Sequence, residues 1–314
     1  MYIGSKDGPE KKMLEKASVF FRAISCGKLR RYFDWKNFRD AVRVIQGISE
    51  AKKILREFKP DKVFCKGGYV SLPVAIAAHS LKIPVILHES DMTPGLANKI
   101  AARLADKILL SFEETKNSLK AKYAAKAIFT GNPVRKWILK GNAEAGFKFT
   151  KLNDYRPVIL VMGGSQGARQ INKLVRESLD ELLKRYQIVH VTGRGNLDIG
   201  IHKTGYAQYE YIDEQLPDVY AMADMVVTRG GANSLFEIAL MRKKALIIPL
   251  PYATRGDQLE NAKYFVREMG WSMLAGDIER KDFIDGVELA FRNEVNKSAR
   301  VENGVGKVVA EIMG

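Results

Sequence analysis

Apolar residues in this chain come in short runs of buried-strand type, and helical patterns separate one run from the next. In the first half, Lys62-Val63-Phe64-Cys65 reads as a strand ending at Gly67-Gly68. A helix follows from Pro73 to Leu81, with proline near its first turn. Pro84-Val85-Ile86-Leu87-His88 is the next strand and Pro94 to Leu104 a helix. Lys107-Ile108-Leu109-Leu110-Ser111 and Ala127-Ile128-Phe129-Thr130 are further strands. After Gly131-Asn132-Pro133 the pattern loosens, and the polar stretch from Lys140 to Tyr155 reads as a linker. The rhythm restarts at Val158-Ile159-Leu160-Val161-Met162. It continues through Ile188-Val189-His190-Val191, Tyr209-Glu210-Tyr211-Ile212, Met225-Val226-Val227-Thr228 and Ala245-Leu246-Ile247-Ile248.

Short strands alternating with helices specify an α/β protein with doubly wound parallel sheets. At 314 residues the chain exceeds the usual limit for one core. Two Rossmann-like domains are therefore expected, over 1–140 and 141–314, facing one another across a cleft with ligand at the carboxyl ends of the strands.

Composition narrows the function classes. No apolar run approaches the about 18 residues that span a bilayer. Met1-Tyr2-Ile3-Gly4-Ser5-Lys6-Asp7 also lacks the basic-then-apolar order of a signal peptide. A soluble or peripheral protein is expected. Cys26 and Cys65 have no motif spacing, which fits a reducing cytoplasm. His79, His88, His190 and His202 are too scattered for a ligand set, so neither a metal nor another cofactor is expected.

A net charge of +15 calls for an anionic partner. No helix-turn-helix, zinc finger or RNP repeat points to nucleic acid, and anionic lipid fits better. The segment from Arg22 to Lys53 interleaves Lys and Arg with Tyr32, Phe33, Trp35 and Phe38. Within it, Phe38, Val42, Ile45 and Ile48 recur at helical spacing, which makes an apolar stripe beside a basic face. A helix packed on its own sheet would show the same stripe.

The most informative local feature is a pair of glycine-rich loops, Gly163-Gly164-Ser165-Gln166-Gly167-Ala168 and Arg229-Gly230-Gly231-Ala232-Asn233-Ser234, each between a strand and a helical pattern. A glycine turn that opens a helix lets backbone N–H groups approach an anion, and the helix dipole adds partial positive charge. Diphosphate is the natural ligand. Neither loop ends in the Lys-Ser/Thr of a P-loop or has dinucleotide spacing, which disfavours a kinase or a nicotinamide enzyme.

Six runs resemble the MurG family of peptidoglycan glycosyltransferases, in the same order and over nearly the whole chain. They are Lys66 to Ser71, His88 to Lys99, Gly131 to Arg135, Gly163 to Ala168, Arg229 to Glu237 and Arg255 to Ala262. The wording His88-Glu89-Ser90-Asp91-Met92-Thr93-Pro94-Gly95 is most similar to the Gram-positive, Bacillus-type branch. The resemblance implies a GT-B fold and inverting transfer of N-acetylglucosamine from UDP-GlcNAc to the muramoyl 4-hydroxyl of lipid I. The product is lipid II, made at the cytoplasmic face of the cell membrane by a peripheral enzyme.

The resemblance also implies site residues. Ser165 and Gln166, with the surrounding amides, would contact the donor, and Ile212 would present its main chain to uracil. Ala232, Asn233, Ser234, Leu235 and Phe236 would wrap the diphosphate, Glu237 would accept from the ribose hydroxyls, and Gln258 would bond the sugar. Arg135 and Asp91 would lie in or near the active cleft, Arg135 among the donor contacts. Asp91 and Glu89, at the end of a strand, are the candidate catalytic carboxylates. A satisfied buried side chain is the alternative reading of His88. A general base is required for the acceptor hydroxyl, and the sequence does not single one out.

Family members open with a strand, a glycine loop and a helix before the stretch resembling Tyr2 to Gly8, and this chain starts there. The expectation is an incomplete N-terminal domain whose sheet is split, because the first strand of such a fold lies mid-sheet. A fragment, a misassigned start and a separate piece supplying the unit are the readings this leaves. On any of them the chain alone is expected to bind donor and transfer poorly. The alternatives are another GT-B glycolipid synthase, a nucleotide-sugar epimerase, or a non-catalytic UDP-sugar-binding remnant.

Overall fold

The computed structural model describes residues 1–6, 11, 14, 17–27, 36–164, 167–250 and 256–314, with side chains from residue 42 onward in the helix that opens at Lys36. Two compact units form, one of residues 1–131 with 304–314 and one of residues 132–303.

In the first unit, β1 (Tyr2–Ser5) and β2 (Phe21–Ile24) pair in parallel as a two-stranded sheet. β3 (Val63–Cys65), β4 (Val85–Glu89), β5 (Lys107–Leu110) and β6 (Ala127–Phe129) form a second parallel sheet in that order. The apolar runs are unbroken because both faces of this second sheet are covered. On one face Val63, Cys65, Val85, Leu87, Ile108 and Leu110 pack with Leu55, Val74 and Ala101 from helices. On the other, Ile86 and Leu109 meet Val308 and Ile312 of helix Val305–Met313. That last helix is pinned by a Lys107 to Glu311 ion pair of 2.7 Å, and Lys62 Nζ donates to the Ile312 carbonyl.

Helix Lys36–Phe58 divides the expected stripe. Ile48 packs against the core beside Ala51, Ile54 and Leu55, whereas Val42 and Ile45 are exposed. At about 100° per residue the buried face centres on positions 47, 51 and 54, which carries 42 and 45 to the opposite side. Ile48 is thus corrected to the core reading. The side chain of Phe38 lies outside the described residues.

The second unit holds one parallel sheet in the order β12-β11-β10-β7-β8-β9. Its strands are β7 (Val158–Met162), β8 (Gln187–Val191), β9 (Tyr206–Tyr209), β10 (Met225–Thr228), β11 (Lys244–Ile247) and β12 (Ser272–Met273). Ile159, Val161, Ile188, Val227 and Leu246 form one core face with helices Arg169–Leu182 and Arg280–Arg292.

Two expectations change here. The polar stretch 140–155 contains helix Ala143–Thr150, capped by Asn142 Oδ1 accepting from the Ala145 amide at 3.0 Å. This helix packs so closely on Leu216–Met222 that a Cβ on Gly146 would lie 2.4 Å from the Asp218 carbonyl oxygen. Its polarity marks a solvated outer face, not a linker. The strand expected over 209–212 runs instead over Tyr206–Tyr209, because the Ile188 amide takes the Gly205 carbonyl and sets the register upstream. Ile212 therefore follows the strand, with its side chain buried.

Candidate functional site

β7 and β10 lie side by side with Met162 opposite Thr228, and the strands that follow them are laid on opposite sides of the pair. This is the topological switch point of the sheet, the place where an open α/β sheet binds ligands. The two glycine loops leave the carboxyl ends of these two strands, so they begin next to each other. Each opens a helix, Arg169–Leu182 or Ala232–Leu240. Neither helix has a side-chain cap at its start, at Ala168 and Gly231. First-turn N–H groups have no intrahelical partner, and together with the helix dipole they form a seat for an anion.

Glycine serves two purposes in these loops. Gly164 has φ of 92° and Gly231 lies in open space, with nothing within 4 Å of an added Cβ at either. Gly230 is the opposite case, since a Cβ there would sit 2.2 Å from the Gln258 carbonyl oxygen. The open positions leave room for a ligand, and the tight one lets the first turn of helix Asp257–Met269 close up behind it.

The loops are braced from beneath by buried polar side chains. Arg229 Nη1 donates to Gln170 Oε1 at 3.0 Å and to the carbonyls of Ile248 and Pro249 at 3.0 and 3.3 Å. Burial lowers its pKa from the usual guanidinium value. Asn261 Nδ2 donates to the Gly230 carbonyl at 3.0 Å, and Gln258 Oε1 accepts from the Leu250 amide at 3.1 Å. Asn172 donates to the Thr192 carbonyl at 2.9 Å, and its Oδ1 lies 3.0 Å from His190 Nε2. His190 Nδ1 lies 2.9 Å from the Tyr206 hydroxyl, and burial pushes the imidazole down to about 3. The ring is therefore neutral at physiological pH, and the network around it is structural.

The expected donor contacts separate into groups. Ala232, Leu235 and Phe236 have buried side chains, and the Phe236 ring meets Phe265 edge-on at 5.1 Å. They can offer a ligand only their backbone. Asn233 is exposed and its Oδ1 accepts from Asn132 Nδ2 at 2.9 Å, while Ser234 is half-buried. Glu237 is buried, and its Oε1 accepts from Arg135 Nε and Nη2 at 3.2 and 2.8 Å. Arg135 also lies 4.9 Å over the Trp137 ring. The fold thus brings together Arg135 and Glu237, about a hundred positions apart in sequence. Ser165 and Gln166 lie outside the described residues.

In the first unit, Glu89 is buried at the end of β4. Its oxygens accept from the amides of Asp91 and Gly95 at 3.0 and 3.3 Å and from Asn98 Nδ2 at 2.7 Å. Burial outweighs these bonds and raises its pKa to about 7. A carboxylate engaged in this way knits the turn that carries Asp91, which is half-buried. His88 is buried, with Nε2 3.4 Å from the Gly131 carbonyl and Nδ1 3.4 Å from Ser90 Oγ. Burial pushes its pKa down to about 4.

Sequence reasoning assigned no role to Arg229, Asn261 or Asn172. Arg229 and Asn261 stand inside the motifs, and an arginine directly before two glycines is the one signal that could have marked a brace. Among the described residues, no group of three or more His, Cys, Asp and Glu is placed to hold a metal ion. Nor is any helix long and apolar enough to cross a membrane.

Residues 1–110 match the family model of the glycosyltransferase family 28 N-terminal domain, and residues 158–303 match that of its C-terminal domain. The chain is 49% identical over 302 residues to a UDP-N-acetylglucosamine--N-acetylmuramyl-(pentapeptide) pyrophosphoryl-undecaprenol N-acetylglucosamine transferase 2 of Bacillus cereus, covering 95% of this chain and 85% of that one. It is 42% identical over 317 residues to the similarly named transferase of Clostridium tetani, covering 98% and 87%. Among solved structures, MurG of Acinetobacter baumannii superposes with a TM-score of 0.71 at 22% identity, over 99% of this chain and 90% of that one. A UDP-GlcNAc 2-epimerase from Neisseria meningitidis, bound to UDP-GlcNAc, gives 0.65 at 17% identity, over 96% and 87%. At such identities the solved structures establish the fold, which is GT-B, and the sequence relatives bear out the resemblance to MurG.

Proposed function

The chain belongs to glycosyltransferase family 28, and from that membership we propose that it transfers N-acetylglucosamine from UDP-GlcNAc to the muramoyl 4-hydroxyl of undecaprenyl-diphospho-muramoyl-pentapeptide. This is the step from lipid I to lipid II in peptidoglycan synthesis. The observation that carries the reading is the pair of glycine loops at the β7/β10 switch point, each opening an uncapped helix. Such a seat suits the diphosphate of a nucleotide sugar. It also stabilises the charge that develops on departing UDP, because backbone dipoles fixed in advance need no reorganisation during reaction.

Within this reading the helix start at Ala232 to Phe236 and the loop of Ser165 and Gln166 hold the diphosphate through backbone N–H groups. Ile212 offers its main chain to the uracil edge and Gln258 faces the sugar. Glu237 accepts from the ribose hydroxyls, with Arg135 holding its carboxylate in place. In the first unit, Asp91 is the carboxylate proposed to act at the acceptor hydroxyl, and Glu89 sets the turn on which Asp91 stands. Val42 and Ile45, exposed on a basic helix, are proposed to rest on the anionic surface of the inner membrane.

The test uses radiolabelled UDP-GlcNAc with a lipid I analogue. Label should pass to the lipid, however slowly, and Asp91→Asn should lower kcat further while leaving UDP affinity unchanged. Release of free N-acetylmannosamine or its nucleotide, with no labelled lipid, would replace transfer by epimerisation.

A further inference from the structure

The supports beneath the first glycine loop meet at one hydroxyl. Gly167, where the loop turns into helix Arg169–Leu182, has φ of 74°, and a Cβ there would sit 2.2 Å from the Thr192 carbonyl oxygen and 3.2 Å from Asn196 Nδ2. The loop therefore rests directly on the segment that leaves β8. The Gly167 amide donates to the Gly164 carbonyl at 2.9 Å, which ties the open end of the loop to the same support.

The bonds that hold Thr192 and Asn196 can run only one way. A carbonyl accepts and cannot donate, so Asn172 turns Nδ2 to the Thr192 oxygen, at 2.9 Å. That leaves Asn172 Oδ1 facing His190 Nε2 at 3.0 Å, and Nε2 must carry the ring proton. Nδ1 is then an acceptor, and the Tyr206 hydroxyl donates to it at 2.9 Å. The second support is reached from the same hydroxyl, because Arg176 donates both to the Tyr206 oxygen and to the Asn196 carbonyl. Asn196 Nδ2 in turn donates to the Arg194 carbonyl at 2.9 Å and keeps the segment closed under Gly167.

We propose that Tyr206 is a positioning residue for the donor diphosphate. Its hydroxyl fixes Thr192 through His190 and Asn172, and Asn196 through Arg176, and both arms set the place of the loop at 163–168. The inference rests on the reading of that loop as part of the donor seat. Without the hydroxyl, His190 Nδ1 is buried without a partner and the Arg176 fork loses one of its two acceptors, so the loop amides are no longer held in advance for an anion. Under the same reading uracil and ribose are held elsewhere, and the effect falls on the diphosphate alone.

The test is titration of the full chain with UDP and, separately, with uridine. Tyr206→Phe should weaken UDP binding roughly tenfold and leave uridine binding unchanged. Arg176→Lys keeps the charge but lacks the fork that reaches two acceptors, so it should act in the same way and carries the test should the first variant unfold. The double variant should lose little more than either alone. Nitrogen NMR of the parent at neutral pH should show His190 protonated at Nε2. Unchanged UDP affinity in folded variants would overturn the proposal, as would equal loss for UDP and uridine or a ring protonated at Nδ1. A parent that binds no UDP would defeat the donor-seat reading instead. The positioning role would then be decided by hydrogen exchange of the Gly164 and Gly167 amides, which Tyr206→Phe should speed, and unchanged exchange there would overturn it.

Discussion

The two units are built from the same alternation of short apolar strands and helices, yet among the described residues the second forms one sheet and the first forms two. The second unit lays six strands in a single ladder, and the switch point falls between two of its central members, β7 and β10. Every strand beside the glycine loops is paired on both sides, so the loops are held by rigid neighbours. In the first unit the described strands form two ladders, β1 with β2 and β3 through β6. A strand contributes stability mainly through its neighbours, so the difference teaches that sequence pattern sets the parts and continuity sets how firmly they are held.

The largest expected effect is in local stability. Amides of β1 and β2, a two-stranded ribbon, should exchange on the order of a thousandfold faster than those of β7 and β10. Exchange by residue would measure this, and equal protection in the two units would break the comparison. Next comes Glu237→Ala, which removes the partner of Arg135 and the proposed ribose acceptor. UDP affinity should weaken by about 1–3 kcal/mol. Titration calorimetry giving an unchanged Kd would detach Glu237 from the donor site.

The response to pH should distinguish the units as well. Folding lowers His88 from 6.5 to about 4 and His190 from 6.5 to about 3. Their contribution is present above pH 6.5 and is lost as pH falls through those lower values, in both units. Folding raises Glu89 from 4.5 to about 7, so its contribution is present below pH 4.5 and is lost as pH rises through about 7, in the first unit alone. Thermal unfolding followed by unit should show the second unit gaining stability as pH rises from about 4.5 to 6.5, while the first gains less because the Glu89 contribution is lost over the same interval and on to about 7. Glu89→Gln should remove that opposing loss, so that the first unit rises with pH as the second does. A first unit that rises as steeply as the second in the unmodified chain would refute the assignment.

The smallest effect concerns the membrane. Ile45→Ser changes an exposed side chain, so stability should hold while binding to anionic vesicles weakens and becomes more sensitive to salt. Equal binding of the variant and the parent would remove Ile45 from any interfacial patch.

Much of this protein could be read from its residues. The runs at Val63, Val85, Lys107, Ala127, Val158, Met225 and Lys244 became strands because an apolar run of four or five can be buried only with both faces covered. The glycine loops were legible because only glycine tolerates the backbone of Gly164 or the closeness of Gly230 to its neighbour. β1 and β2 escaped notice because Gly4 and Arg22 interrupt their apolar residues, and β12 because it is two residues long.

Tertiary structure alone decided the rest, since it depends on contacts between residues far apart in the chain. Helix Val305–Met313 covers one face of the four-stranded sheet β3 to β6 from the far end of the sequence, where Val308 meets Ile86 and Leu109. Arg135 and Glu237 become one ion pair, and Ile48 turns inward while Ile45 three residues earlier stays out. Periodicity shows that a helix has an apolar side, but only the packed neighbours determine where that side ends. Local sequence fixes the conformations a segment can adopt, and the pairing of distant segments determines which of its polar groups are left facing a ligand.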